Sequence, residues 1–338
     1  MNCKVSMLAL AAAAGLFAAP AMADTSKMKI AFSNNYAGNS WRQAMLKSYD
    51  IVTKKAVADG IVAAADVFTT ADKEVPTQAA QIQNLILQGY NAIVINAASP
   101  DALNGAVKQA CDAGIVVVSF DGVVTEPCAY RIVVDFKDYG KQEVEHMAQL
   151  VPKGGDLLEI RGLAGTGIDA AVHEGILEGV KAHPDFKIVA SVTGDWDQTT
   201  AQKAVATVLP SLPPIVGVVD QGGDAYGAAQ AFVAAGRPRP EIMMGNRQDE
   251  FEYWKEQKDK DGYKSWSASI APGVSTLAFW VAQQVLDGKK VPHDLLVPYL
   301  AFTQDDFEKE LPNIPKGGVA SHEYTQADAI AAIKANTK

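Results

Sequence analysis

From Lys29 onward the chain alternates short apolar, β-branched runs with runs of helical period, at a repeat of roughly 25–30 residues. KIAFS (29–33) reads as a strand, and Met45, Tyr49, Val52 and Ala56 then fall on one helix face. A strand near 64–68 precedes a helix carrying Val75, Ala79, Ile82 and Ile86, which Gly89 stops. AIVIN (92–96) follows, then a helix opened by Ser99-Pro100-Asp101 and closed by Gly114, then IVVVSFD (115–121). The pattern restarts after about residue 135. Strands are expected at 156–160, 187–192, 215–219, 241–245 and 265–270, with helices between them. Strands apolar along their whole length are buried on both faces, which means parallel sheets between helical layers. A chain of 338 residues exceeds what one core accommodates. The fold class is therefore α/β, two Rossmann-like lobes with parallel sheets, and ligands of such sheets bind beyond the carboxyl ends of the strands.

The first residues point outside the cytoplasm. Lys4 precedes the apolar stretch 6–19, and Ala21-Met22-Ala23 supplies the small residues of a cleavage site, so residues 1–23 are expected to be a secretory signal. Cys3 lies ahead of that stretch, and Cys111 and Cys128 remain, which an oxidising compartment is expected to join as a disulfide. The net charge of −9 argues against a nucleic-acid partner. The histidines show no HxxxH spacing, there is no GxSxG elbow, and GLAGTGID (162–169) matches neither nucleotide-binding glycine pattern. No catalytic residue, metal or cofactor is expected.

What stands after each strand is informative. Strand one leads into Asn35, Asn39, Trp41 and Arg42; Asn96 ends the third strand and Asp121 the fourth. In the second half the corresponding positions carry Asp169, Trp196, Gln221 and Arg247. Amides, carboxylates and guanidinium groups that can each share two hydrogen bonds, together with indole planes, suit a small polyhydroxylated ligand. Asp197, Asp224 and Asp249 read instead as helix caps.

IAFSNNYAGNSWRQA (30–44), GYNAIVINAASPDAL (89–103), VVVSFDG (116–122), IRGLAGTG (160–167) and VTGDWD (192–197), in that order, resemble the ribose- and galactofuranose-binding class of periplasmic receptors, the type I periplasmic binding proteins of ABC transporters. The resemblance implies two lobes joined by three hinge crossovers, expected here as 28–134 plus 271–298 and 135–270 plus 299–338. It implies a monomeric periplasmic protein that captures a sugar, furanose or polyol in the interlobe cleft and delivers it to a membrane ABC permease. It also assigns Trp41 and Trp196 to ligand stacking, Arg42 to the furanose branch and Asp121 to the key carboxylate. Five positions depart from the pattern, because Gly122, Val172, Gly222, Arg247 and Ile270 stand where the family usually carries other polar groups. Those departures leave open a sugar acid or lactone as ligand, and a receptor that feeds a chemosensory signal is a further alternative.

Overall fold

The computed structural model describes residues 24–71 and 74–337, so the expected secretory signal lies outside the described residues. In chain order the first lobe contributes β1 (Lys29–Asn34), α1 (Ser40–Ala58), β2 (Ala64–Thr69), α2 (Val75–Leu87), β3 (Ala92–Asn96), α3 (Asn104–Asp112), β4 (Val116–Phe120) and β5 (Tyr130–Val133). The second contributes α4 (Phe136–Leu150), β6 (Gly155–Arg161), α5 (Gly167–Ala182), β7 (Phe186–Thr193), α6 (Gln198–Val208), β8 (Gly217–Val219), α7 (Ala225–Ala234), β9 (Glu241–Ile242), α8 (Gln248–Asp261) and β10 (Ser267–Ser269). The remainder is shared: α9 (Val274–Leu286), β11 (Asp294–Leu296), β12 (Leu300–Phe302), α10 (Phe307–Glu310) and α11 (Gln326–Asn336).

The first sheet runs β11-β5-β4-β3-β1-β2 and is parallel throughout. Its inner strands are the continuous apolar runs: Ile93, Val94 and Ile95 are inaccessible, and α1 and α9 cover one face through Met45, Tyr49 and Phe279. Each such side chain contributes about 1.5–3 kcal/mol by leaving water. The second sheet, β7-β6-β8-β9, is also parallel, and β10 joins it only by a bridge from Ser267 to Met244 while pairing antiparallel with β12. The expected helix start at Ser99 is displaced to Asn104. Ser99 Oγ accepts from the Ala102 amide to close a turn, and Thr125 ties that turn down through the Pro100 carbonyl and the Asp101 carboxylate. Cys111, near the end of α3, and Cys128, just before β5, are joined, with Cα atoms 6.4 Å apart.

The chain passes between the elements of one lobe and those of the other from β5 to α4, from β10 to α9 and from β11 to β12, and then a fourth time. Residues 299–314 stay with the second lobe, where Phe302, Phe307 and Ile314 are buried. Beyond them a strap, 315–325, crosses back. The Gln248 amide donates to Gly318, Ala320 donates to Asn246, and Arg247 and Val319 form an antiparallel bridge. At its other end Trp280 Nε1 donates to the Tyr324 carbonyl and Ser48 to Glu323. The helix α11 that follows packs on the first lobe through Ala329 and Ile333, which corrects the expectation that all of 299–338 belongs to the second. Its narrow apolar face fits the groove beside α9 and β11.

Candidate functional site

The carboxyl ends of both sheets face one cleft whose floor is made by the connectors: Ile270, Tyr299 and Val319 each line it. The inner cavity is walled by Asn39, Trp41, Arg42 and Asp121 from the first lobe and by Tyr139, Trp196, Gln221, Asn246 and Arg247 from the second. It opens into an outer chamber that Asn35, Tyr36, Pro100, Thr125 and Thr166 border.

On the first-lobe wall Asn39 caps α1, its Oδ1 accepting from the Arg42 amide at 2.8 Å, and this fixes where Trp41 and Arg42 emerge. Trp41 is buried, and its Nε1 donates to the Ile270 carbonyl at 2.7 Å, tying the first helix to a crossover. Arg42 Nη2 lies 3.0 Å from Asp121 Oδ2. Asp121 adopts the left-handed conformation at φ 58°, which short polar side chains tolerate, and this turns its carboxylate back toward β3. There Asn96 Nδ2 donates to the same oxygen at 2.9 Å, while Asn96 Oδ1 accepts from the Gly122 amide. Burial pushes the Asp121 carboxyl up, and the Arg42 guanidinium pulls it back. Asn96 therefore acts behind the wall and does not face the cavity.

The second-lobe wall is built differently. Asp195 and Trp196 are successive left-handed residues, φ 57° and 55°, a conformation that costs an indole-bearing residue about 1–3 kcal/mol. That turn brings the indole over Gly162, where any Cβ would strike both the ring and Gln221 Oε1. Asp169 is not on the cavity surface. It takes a two-pronged pair from Arg161 (2.9 and 2.6 Å), the Gly162 amide and Gln221 Nε2 at 2.9 Å, and so orients Gln221. Gln221 Oε1 is buried without a hydrogen-bond partner on the protein. Arg247 Nη1 donates to the Gly223 carbonyl and Nη2 to the Trp196 carbonyl at 2.7 Å.

Behind Arg247 lie Glu143, Asp220, Asp224 and Glu250, all inaccessible. Burial raises each carboxyl, Asp220 to about 7 and Glu250 to about 8, with Arg247 pulling both back; Glu143 and Asp224 also rise well above the usual range because they are buried. Asp224 makes no side-chain cap bond, unlike Asp197, which accepts from Thr200 as expected. The sequence reading missed Phe136, Tyr139 and Tyr299 as lining residues. Their signal was position, since Phe136 and Tyr139 follow the first crossover directly and Tyr299 ends the third. Val172, Gly222 and Ile270, three of the departures noted in the sequence, also face the cavity. Among the described residues no group of three His, Cys, Asp or Glu side chains is placed to hold a metal.

Residues 30–290 match the model of the periplasmic binding protein domain. The chain is 34% identical to an ABC transporter solute binding protein from Thermobispora bispora whose crystal structure superposes with a TM-score of 0.85, covering 91% of this chain and 95% of that one. It is 31% identical to a xylitol-binding protein of Mycolicibacterium smegmatis over 51% of this chain, an alignment that spans only half (50%) of that relative's length. It is 28% identical to the ribose import binding protein of Salmonella typhimurium over 63% of this chain and 71% of that one.

Proposed function

The chain belongs to the periplasmic binding protein family, and from that premise we propose that its cleft captures one small neutral sugar, furanose or polyol and presents it, lobes closed, to an ABC permease. Neutrality rests on one observation: both cleft guanidinium groups are already engaged by the protein. Arg42 is paired with Asp121, and Arg247 is spent on two carbonyls with buried carboxyls behind it. An anionic ligand would have to share a guanidinium that a carboxylate or two carbonyls already hold, and it would face Asp121. A polyol instead brings hydroxyl donors to Gln221 Oε1 and a C–H face to Trp196 and Trp41. Contacts from both walls form together only when the lobes are closed, so the ligand stabilises closure by its difference in affinity for the two states. The relatives are binding and transport proteins, and this reading adds that the chain catalyses nothing.

The test is thermal unfolding of the secreted chain against matched aldose, alditol and aldonate sets, with nucleotides as a control. A neutral member at a hundred times its Kd adds about 2.7 kcal/mol of stability, while the matched acid adds none. Stabilisation by an aldonate or a nucleotide in preference to every neutral member overturns the proposal.

A further inference from the structure

We infer that Arg247 is a positioning residue for Trp196 and does not itself read the ligand. Its guanidinium spans two loops of the second-lobe wall, one nitrogen on the Gly223 carbonyl after β8 and the other on the Trp196 carbonyl after β7. Two features are shaped around that clamp. Gly223 has φ 91°, and a Cβ there would collide with the guanidinium carbon and both terminal nitrogens, so the plane of the arginine lies flat on its backbone. The backbone of Arg247 is itself held on two sides: its amide donates to Glu250 Oε2 at 3.1 Å, and it bridges to Val319 of the strap. Trp196 needs such a clamp because nothing in its residue type favours a left-handed backbone, and its carbonyl is the group that conformation reorients. Buried, planar and forked, the guanidinium can fix two acceptors at once, which a lysine cannot. The strap, the clamp and the indole thus form one chain of contacts from the fourth interlobe connection to the ligand-facing ring.

The ligand arm of the test rests on the reading of the cleft as a polyol site; the spectroscopic arm does not. The protein has five tryptophans, so 5-fluorotryptophan labelling gives five fluorine resonances, with that of Trp196 identified by its loss in Trp196→Phe. In unliganded Arg247→Met the Trp196 line shifts and broadens while the other four stay, and in Arg247→Lys it moves part of the way. The ligand arm measures affinity for xylitol and D-ribose by calorimetry. Arg247→Met weakens binding about tenfold or more, the size of a lost charge-assisted hydrogen bond. In a Trp196→Phe background the same change costs less than about twofold, because its effect runs through the ring. An unmoved Trp196 line, or losses that multiply in the double variant, overturns the inference. If neither probe binds wild type, the polyol reading rests on the unfolding screen above and the fluorine result alone decides on the clamp. If Arg247→Met does not fold, Arg247→Lys carries both arms.

Discussion

The two walls of the cleft reach the same end by opposite means. On the first lobe, Arg42 at the start of α1 and Asn96 and Asp121 at the carboxyl ends of β3 and β4 form a closed polar triad in which each charge has its counterpart. On the second lobe a single guanidinium, that of Arg247, faces the buried Asp220, Asp224 and Glu250 with Glu143 beside them, and the cavity-lining indole of Trp196 sits on a strained turn. The first wall is pre-arranged by pairing. The second is held in place by burial and by one clamp, at a cost that the folding of that lobe must cover. Polar groups that are paired and hydrogen-bonded add definition cheaply, whereas carboxyls buried together stay neutral and store the penalty.

If that contrast is right, breaking the paired wall has the larger effect. Arg42→Met leaves Asp121 buried beside Asn96 with no cation, and it should cost about 3–5 kcal/mol of stability in urea unfolding. Adding Asp121→Asn should recover most of the loss, since the orphaned charge is then gone. A single variant as stable as wild type would mean that the triad is incidental to the first lobe.

Next in size comes the disulfide, which belongs to the first lobe alone. It closes a sequence separation of 17, worth about 3 kcal/mol in the chain-entropy model. Cys111→Ser with Cys128→Ser should lower the unfolding midpoint by a corresponding amount while leaving hydrogen exchange in β6 and β8 at the wild-type rate when both proteins are compared under native conditions. Equal losses of protection in both lobes would erase the distinction between the two walls.

What the sequence carried and what it hid follow the same physics. AIVIN and VVVSF were legible as strands because both of their faces are buried, whereas β5, β11 and β12 are short and hold their conformation only through partners distant in the chain. The lobe that takes α11 was not legible, because Ala329 and Ile333 give the helix an apolar face without saying which groove it fills. In the cleft, Trp41, Arg42, Asp121, Trp196, Gln221 and Arg247 were readable as polar and aromatic residues just past strands, and the structure lines the cavity with all six. Asn96 and Asp169 carry the same residue chemistry but stand one layer back, a difference of side-chain direction that residue type does not encode. The function of Arg247 was hidden for another reason: its partners are backbone carbonyls, which every residue has. Asp224 looked like a cap, as an aspartate ahead of a helix does, and only its burial among other carboxyls distinguishes it.

The smallest expected effect is a dependence on pH that should belong mainly to the second lobe. Asp220 and Glu250 hold their protons to about 7 and about 8 in the folded protein, against ordinary values of 3.8 and 4.5, because burial disfavours their charged forms; Arg247 facing both, and the amide of Gly222 on Asp220, only moderate this. Glu143 and Asp224 pack against them and shift in the same direction, and Tyr139 rises too, so no neighbour but Arg247 supplies positive charge. The folded state thus binds protons that the unfolded chain has already released, and stability must fall as pH rises. The contribution is complete below the ordinary carboxylate range, declines from there, and is lost once pH has passed through 7 and 8. Between pH 7 and pH 8 Asp220 is largely past its midpoint and Glu250 is reaching its own, so the remaining loss is about 1 kcal/mol. Equilibrium unfolding at fixed ionic strength should show that decline in wild type and a flatter line in Glu250→Gln. Asp121→Asn should change that slope less than Glu250→Gln does, because the paired Arg42 pulls against the burial that raises this single carboxyl. A slope that Asp121→Asn removes and Glu250→Gln leaves intact would place the stored penalty on the first wall and reverse the comparison.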